Sequence, residues 1–433
     1  MLDIVSCSRF LLRLTGACAR ADRKALPVGA AALLLLLLPG APAQARQSGD
    51  YRFTTLIDSA VDGLVPTRCA AINTLGTVTV QVEDIAAGFN KLVTKRGAHD
   101  APVVVADTQR VADFPTLCDN GFTSITSDPS INERGEVAFQ GNLRRITDAT
   151  GRPDCQTPQQ RDTPRQGVFL GKGSQLTTIA HTINQPGGNF ISEFLVADTT
   201  VNGLGRTALV IETDNGDAGL FVGSKAGTFE TRFLDSGGQF NTPSSRVSIN
   251  VLGQIAFEDS GIFLSNPNGT FTTIVDSTGG FGSAGDPALN NLGRVAFTAD
   301  RFDEDFNQIF SVNTSRGAGV TLVAESSPGG YASFREPALN DLGKVAFTAD
   351  VQPDPEIFTT IQGVFTGPDP VADKVLQQGD FYEGVPVSSV LTCSEAINNR
   401  GQIVMTVISE DPDTFEQRRF IVKATPKHLH GVD

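Results

Sequence analysis

Two clusters of acidic residues are the first candidates for chemistry in this sequence. They comprise Asp300, Asp303, Glu304 and Asp305 in one place and Asp350, Asp354 and Glu356 in another. Carboxylates in loops can bind Ca²⁺, and paired carboxylates can hydrolyse glycosidic bonds. The spacing matches neither an EF-hand nor glycine-rich calcium repeats, so we interpret both clusters as solvated hairpin tips. We therefore predict no cofactor, with Ca²⁺ as the alternative.

Histidine, tryptophan and tyrosine are too scarce to indicate an active site. Four scattered histidines give no basis for a Ser-His-Asp arrangement, and the sequence has no G-x-S-x-G motif. It has no Trp and three Tyr, although sugar-binding sites depend on aromatic platforms. We predict no catalytic residue and no metal ligand.

A motif that occurs seven times dominates the sequence. Its clearest copies are Ile131–Phe139, Ile249–Phe257, Leu289–Phe297 and Leu339–Phe347, and weaker copies begin at Ile72, Val201 and Ile397. The asparagines of successive copies are 59, 70, 48, 40, 50 and 58 residues apart. Periods of this size with β-strand character indicate the blades of a propeller.

Each copy contains an Asn-x-x-Gly sequence that predicts a type I turn. Asparagine suits the first position because its side chain bonds the backbone, and glycine suits the fourth, where φ is often positive. The predicted structural turns are Asn73 to Gly76, Asn132 to Gly135, Asn202 to Gly205, Asn250 to Gly253, Asn290 to Gly293, Asn340 to Gly343, and Asn398 to Gly401.

Three strands per repeat are readable from the pattern. A Val-Ala-Phe strand follows the turn, with Val and Phe expected on one face and Ala on the other. A Gly-apolar-Phe strand and a Thr-rich strand come next, as in Gly261–Leu264 and Phe271–Asp276. A fourth, short strand fits less clearly in the Gly-, Ser- and Pro-rich segment before the next asparagine.

The two ends of the chain complement each other. The last repeat has its second strand at Arg419–Val422 but no third strand after it, whereas Phe53–Asp58 closely resembles the third strand Phe271–Asp276. A closed ring lets the N-terminal strand complete the C-terminal blade, while an open solenoid would need capping repeats instead. We predict an all-β, seven-bladed propeller closed in this way.

The N-terminal residues 1–45 predict a signal peptide. Five basic and two acidic residues precede or flank the apolar run Val28–Leu38, and Ala41–Ala45 supplies small residues for cleavage. The run is too short for a membrane span. We expect residues 46–425 to form one propeller domain, residues 426–433 to form a polar tail, and the protein to be secreted or periplasmic.

Four cysteines follow the predicted signal peptide. Cys69, Cys118, Cys155 and Cys393 are an even number in an exported chain, which favours disulfides over free buried thiols. Cys69 and Cys393 precede the asparagines of the first and seventh repeats at nearly the same distance, and a closed ring makes these repeats neighbours. The candidate pairs are therefore Cys69 with Cys393 and Cys118 with Cys155.

The repeats also resemble a known family. The units Asn132–Phe139, Asn250–Phe257, Asn290–Phe297 and Asn340–Phe347 are similar to the NxxGxxAF tandem repeats of bacterial exported proteins, termed choice-of-anchor because their C-terminal anchors differ. The resemblance covers most of residues 50–425 and implies export and repeat architecture, but no activity. No C-terminal anchor is recognised here, so we expect the processed protein to be free.

Charge restricts the class of partner. The chain has 34 basic and 48 acidic residues, and removing the five basic and two acidic residues of the signal peptide leaves 29 and 46, or −17. Such a net charge predicts repulsion of nucleic acid and of anionic lipid. We expect no membrane span after signal removal, a monomer, and an unknown extracytoplasmic ligand or protein as partner.

Two functions are compatible with these observations. The favoured one is an exported, non-catalytic propeller that binds or scaffolds. The alternative is an extracytoplasmic hydrolase or lyase with its site in the central funnel, which would require carboxylates, His or Arg to converge there.

The signal peptide gives a direct prediction. N-terminal sequencing of the native protein should begin at Gln44 or Arg46, because Ala43 and Ala45 fit the small-residue cleavage rule. Recovery of a mature species that is intact from Met1 in the cytoplasm would contradict it.

Overall fold

Seven small antiparallel sheets stand in a ring and form a seven-bladed β-propeller, as predicted. The computed structural model describes residues 50–108, 122–143, 166–182, 191–195, 199–235, 240, 246–317, 319–356, 359–411 and 414–427. The predicted signal peptide, Cys118, Cys155 and the tail beyond residue 427 lie outside these residues.

The chain begins in its last blade and then builds the first. Strand β1 (Tyr51–Asp58) leads through a single-turn helix, α1 (Ser59–Asp62), into blade 1. The strands of blade 1 are β2 (Leu64–Pro66), β3 (Ala71–Ile72), β4 (Val78–Asp84), β5 (Phe89–Lys95) and β6 (Val103–Asp107). Both β2 and β3 pair with β4, so the innermost strand of this sheet is divided into two short segments.

Blades 2 and 3 repeat this plan with an interrupted inner edge. Blade 2 contains β7 (Phe122–Ile125), β8 (Ser130–Ile131), β9 (Val137–Leu143), β10 (Gln166–Lys172) and β11 (Gln175–His181). Blade 3 contains β12 (Ile191–Phe194), β13 (Thr200–Val201), β14 (Thr207–Thr213), β15 (Ala218–Gly223) and β16 (Phe229–Asp235).

Blades 4, 5 and 6 are four-stranded sheets in simple sequence order. Blade 4 contains β17 (Val247–Ile249), β18 (Ile255–Glu258), β19 (Gly261–Ser265) and β20 (Phe271–Asp276), which a short 3-10 turn (Ser277–Gly279) follows. Blade 5 contains β21 (Ser283–Leu289), β22 (Arg294–Phe302), β23 (Gln308–Arg316) and β24 (Gly319–Glu325). Blade 6 contains β25 (Tyr331–Leu339), β26 (Val345–Val351), β27 (Ile361–Phe365) and β28 (Lys374–Gln377).

Blade 7 joins the two ends of the chain. It contains β29 (Phe381–Tyr382), β30 (Val385–Leu391), β31 (Ile403–Glu410) and β32 (Gln417–Pro426), with β1 added beside β32. The strand pairing runs from Tyr51 opposite Pro426 to Asp58 opposite Phe420. The predicted completion of the last blade by the N-terminal strand is confirmed.

An ion pair and a disulfide stabilise the contact between the N-terminal part of the chain and blade 7. The Arg418 guanidinium donates to both carboxylate oxygens of Asp58, at 2.9 and 2.5 Å. Burial opposes ionisation of Asp58, but the bonds from Arg418 and from the Ala60 N–H outweigh it and lower the pKa of the carboxyl. The predicted Cys69–Cys393 disulfide is also present and links blade 1 to blade 7 with a Cα–Cα distance of 6.0 Å.

The phenylalanines of the repeat are buried in the cores of blades 2, 4, 5 and 6. The last residue of the Val-Ala-Phe motif lies opposite the phenylalanine of the next strand in the pairs Phe139 with Phe169, Phe257 with Phe263, and Phe347 with Phe365. Val295, Ala296 and Phe297 are all fully buried. The predicted alternation therefore does not separate core from solvent here, because each middle strand is covered on both faces by neighbouring blades.

No helix among the described residues has the length and apolarity needed to cross a bilayer.

The disulfide gives a prediction about ring closure. A Cys69→Ala, Cys393→Ala double variant should lose about 3–5 kcal/mol of unfolding free energy, because the link closes a loop of most of the chain. Chemical denaturation with and without reductant measures this loss. Either single variant should be as unstable as the double variant, and equal midpoints for all proteins would contradict the role of the link.

Candidate functional site

Each repeat turn is a short hairpin loop that its asparagine closes. In the fifth repeat, the Gly293 N–H donates to the Asn290 carbonyl at 3.1 Å, and the Asn290 N–H donates to the Arg294 carbonyl at 3.0 Å. The Asn290 Oδ1 accepts from the Arg294 N–H at 2.9 Å. Gly293 has a φ of 76°, which explains the glycine. The glycines of all seven turns have positive φ.

The seven asparagines form a closed ring of hydrogen bonds around the central channel. The Nδ2 of each one donates to the main-chain carbonyl of the asparagine in the next blade. The bonds run from Asn73 to Asn132 (3.0 Å), Asn132 to Asn202 (3.1 Å), Asn202 to Asn250 (3.0 Å), Asn250 to Asn290 (3.3 Å), Asn290 to Asn340 (3.0 Å), Asn340 to Asn398 (3.0 Å) and Asn398 to Asn73 (2.9 Å).

The ring uses nearly all the hydrogen-bonding capacity of its members. Each Asn carbonyl accepts both from its own turn glycine and from the preceding asparagine. In three blades the second Nδ2 hydrogen reaches the side chain four residues on, namely Glu136, Gln254 and Gln402. Every asparagine is buried. The ring is therefore a structural seam whose polar groups are satisfied internally.

An aliphatic collar lies directly beside the asparagine ring. It consists of the residue before each asparagine, namely Ile72, Ile131, Val201, Ile249, Leu289, Leu339 and Ile397. Collar and ring together line a central cavity of about 130 Å³ that is open to solvent. This volume suits a few waters but not a sugar or a peptide.

Three carboxylates line the channel, and each accepts a hydrogen bond from a backbone N–H group. Glu133 accepts from the Thr74 N–H, and Asp341 accepts from the Asn291 N–H at 2.8 Å. Glu395 accepts from the Ser130 hydroxyl at 2.8 Å and from the Ile131 N–H at 3.3 Å, so it links blade 7 to blade 2. No His, Lys or Arg occurs among the described residues that line this cavity.

The two acidic clusters lie on the opposite face from the asparagine turns, at the ends of β22 and β26 and in the hairpins that follow. The prediction of a solvated hairpin tip is wrong for Asp300, which is buried within β22. Asp303 caps its own loop by accepting from the N–H groups of Asp305 and Asn307. Hydrogen bonds from the side chain and backbone of Asn307 lower the pKa of Asp303. Among the described residues, only Cys69, Asp128 and Cys393 bring three ligand atoms within 4.8 Å of one another. The prediction of no cofactor, with Ca²⁺ as the alternative, stays a prediction.

A larger cavity of about 270 Å³ opens between blades 4, 5 and 6 on the same opposite face. Its lining includes Glu258, Asp300, Phe310 and Phe334. Asp300 accepts from the N–H and hydroxyl of Ser283, and Glu258 accepts from the Asp286 N–H at 3.3 Å. Sequence analysis did not find this cavity, because its residues come from three repeats and share no motif.

The exposed leucine of the repeat turns is a second feature that the sequence did not lead us to predict, although the repeat contains the signal for it. The third residue of the Asn-x-x-Gly turn is leucine in five of the seven copies, and all five are exposed. The motif was read for its asparagine and glycine, which explain the turn, whereas an exposed leucine has no role in forming it.

Comparison with known proteins gives a family and a fold. Residues 153–423 match the model of a family of unknown function, DUF7453. Among curated proteins, no sequence matches this chain. The family match does not test the resemblance to NxxGxxAF repeats, which stays a prediction.

Solved propeller structures resemble the chain at low identity. An oligogalacturonate lyase from Vibrio parahaemolyticus has a TM-score of 0.50 and 10% identity over 88% of this chain and 99% of its own. A prolyl endopeptidase has a TM-score of 0.47 and 10% identity over 88% and 50%. A xyloglucanase from Xanthomonas campestris has a TM-score of 0.39 and 12% identity over 73% and 46%. At these identities, the likeness concerns the fold alone.

Two substitutions of Asn290 distinguish the contribution of the ring hydrogen bond to stability from that of the turn hydrogen bond. Asn290→Ala removes both sets of bonds and should cost roughly 2–4 kcal/mol of unfolding free energy at every pH. Asn290→Asp keeps the acceptor of the turn but turns a carboxylate toward the Asn340 carbonyl. Burial and that carbonyl favour the protonated acid, so the folded-state pKa lies above the unfolded one.

The stability deficit of Asn290→Asp should therefore be small near pH 4 and grow as the pH rises to 7, because the folded state then has to release its proton. Denaturation of both variants and the wild type across this range measures it. A deficit that is equally large at both ends for Asn290→Asp would contradict the assigned ring bond.

Proposed function

This chain belongs to a family of unknown function, DUF7453, and we propose that its propeller is an exported, non-catalytic module that binds or scaffolds an extracytoplasmic partner. The partner meets the outer faces of the propeller, and the centre holds the blades together.

The asparagine ring carries this proposal. A catalytic funnel needs polar groups that are free to meet a substrate. Here the amides at the centre bond one another, and the collar beside them is aliphatic. The cavity volume of about 130 Å³ also falls below the several hundred that small-molecule sites usually provide.

The alternative of a hydrolase or lyase in the central funnel has little support. General acid–base chemistry needs a side chain within hydrogen-bonding reach of the reacting atom. Glu133, Asp341 and Glu395 instead hold backbone N–H groups, so a reaction at these carboxylates would disrupt contacts between blades.

Export is supported by the signal sequence and by the use of cysteine. The basic N-terminus, the apolar run Val28–Leu38 and the alanine-rich segment fit a secretory signal. A structural disulfide such as Cys69–Cys393 persists in the periplasm or outside the cell, and is rare in the cytosol.

A binding experiment with a catalytic control tests the proposal. Processed protein added to native envelope material should bind saturably. The same preparation should not turn over oligogalacturonate, xyloglucan or prolyl peptides, the substrate classes of enzymes with similar folds.

A variant with Glu133→Gln, Asp341→Asn and Glu395→Gln is the matched control. If the wild type turns over one of these substrates and this variant does not, the central funnel is an active site and the proposal is wrong. Saturable binding without turnover supports the proposal.

A further inference from the structure

The asparagine turns present a crown of exposed leucines around the channel mouth. These residues occupy the third turn position, with exposed fractions of 47% for Leu75, 53% for Leu204, 62% for Leu252, 64% for Leu292 and 79% for Leu342. The same position in the other two blades holds Arg134 and Arg400, which are also exposed. We call these seven residues the crown.

The turn itself does not require leucine at this position. The third residue of a type I turn accepts most residues, and turns favour polar ones. Arg134 and Arg400 form the same turn, with the glycine N–H bonded to the asparagine carbonyl at 2.9 Å in each. Turn formation therefore does not explain why leucine recurs at five equivalent exposed positions around one channel mouth.

The ring of asparagines places the crown residues at equivalent positions in the seven blades. Each crown residue lies two positions after its ring asparagine in the same type of turn. The ring bonds link neighbouring turns in the same way, since all seven join the same two atom types at 2.9 to 3.3 Å. Four leucines in blades 3 to 6 form an unbroken arc, and Val251 adds to it at 38% exposure.

Exposed cations surround the crown. The antiparallel pairing places the start of β1, the end of β32 and the hairpins after β5, β10 and β23 on the crown side of the propeller. The exposed cations there are Arg52, Arg96, Lys172, Arg316 and Lys427, in addition to Arg134, Arg400 and Lys225 in the hairpin after β15, which pairs with Glu136. The exposed acidic residues of this side are Asp50, Asp100, Glu133 and Asp369.

The opposite face has the reverse charge. Its hairpins and blade connections expose Asp62, Glu83, Glu193, Asp214, Glu304, Asp305, Asp354, Glu356, Asp411 and Glu416. The remaining exposed cations among the described residues, Arg68 and Arg335, lie part-way along the inner edges of blades 1 and 6. Among the described residues, the exposed negative charge is therefore concentrated away from the crown, and the charge of the whole chain is a poor guide to its crown side.

We propose that the crown side docks peripherally on an anionic phospholipid surface. This inference rests on the proposed binding function and names its partner. Single leucine tips around the channel mouth can enter the headgroup region, while the surrounding Arg and Lys side chains pair with lipid phosphates. The acidic opposite face is repelled by the same surface, so only one orientation is favoured.

The separation of the apolar tips and the sign of charge favour lipid over other occupants. A second copy meeting crown to crown would bring two basic sides together. A folded protein partner would have to match five separate apolar tips spread around the channel mouth, whereas a lipid surface can accept each tip independently.

Vesicle flotation of the processed protein tests the inference. Residues 1–45 are left out because Val28–Leu38 would itself bind lipid, and residues Ala45–Asp433 form one compact unit. Binding is measured on phosphatidylcholine vesicles and on vesicles with about one third phosphatidylglycerol, at low and high salt. We expect binding to the anionic vesicles that salt weakens.

Two variants separate the apolar and the charged contributions. Combined Leu252→Ser, Leu292→Ser and Leu342→Ser should weaken vesicle binding about tenfold or more. Combined Arg134→Glu and Arg400→Glu should weaken it about tenfold or more at low salt, and less at high salt. All substituted side chains are exposed, and an unchanged melting temperature verifies folding.

The matched control changes exposed apolar residues on the opposite face. Phe306 and Phe415 are 86% and 72% exposed at hairpin tips there, and combined Phe306→Ser and Phe415→Ser should leave vesicle binding unchanged. Loss of binding in this control but not in the leucine variant would overturn the inference.

The parallel measurement on envelope material distinguishes the two proposals. Saturable binding to an envelope protein without binding to either vesicle would overturn lipid docking and leave the binding function standing. Turnover of a substrate that depends on the channel carboxylates would overturn the binding function itself.

Discussion

The hydrogen bond from each repeat asparagine to the next asparagine carbonyl is the interaction on which the propeller depends. One amide serves two structures at once, since Oδ1 closes its own turn and Nδ2 fixes the adjacent one. The bonds also join all seven blades, because contacts of 2.9 to 3.3 Å link each turn to the next around a closed circuit. The repeat therefore needs asparagine itself, with a donor and an acceptor on one short side chain.

Much of the architecture could be predicted because it is local or repeated. The Asn-x-x-Gly pattern specifies a turn by itself, and Phe53–Asp58 reveals ring closure because it resembles a strand that the last repeat lacks. The position of Cys69 relative to its asparagine matches that of Cys393, which was sufficient to predict their disulfide. In each case the information lies within a few residues or in the comparison of equivalent positions.

The remaining features depend on relations between blades, which one repeat does not contain. Ala296 is buried because the neighbouring blade covers its face, so a two-residue alternation could not identify the core. The inner strands are as short as Ala71–Ile72 and have no pattern of their own. Glu395 reaches from blade 7 to Ile131 of blade 2, a contact that no spacing in the sequence suggests. The separation of charge between the two faces appears only when hairpins far apart in the sequence meet on one side.

The placement of β1 in blade 7 has a consequence for biosynthesis. β1 is translated first, yet its partner β32 is among the last segments to be made, so the ring cannot close during chain elongation. Until then one edge of the nascent sheet array lacks its neighbour, and such edges are prone to aggregation. The thiol of Cys69 likewise encounters Cys118 and Cys155 in the growing chain before Cys393 exists. A disulfide isomerase that exchanges early pairs would therefore favour the one that seals the ring.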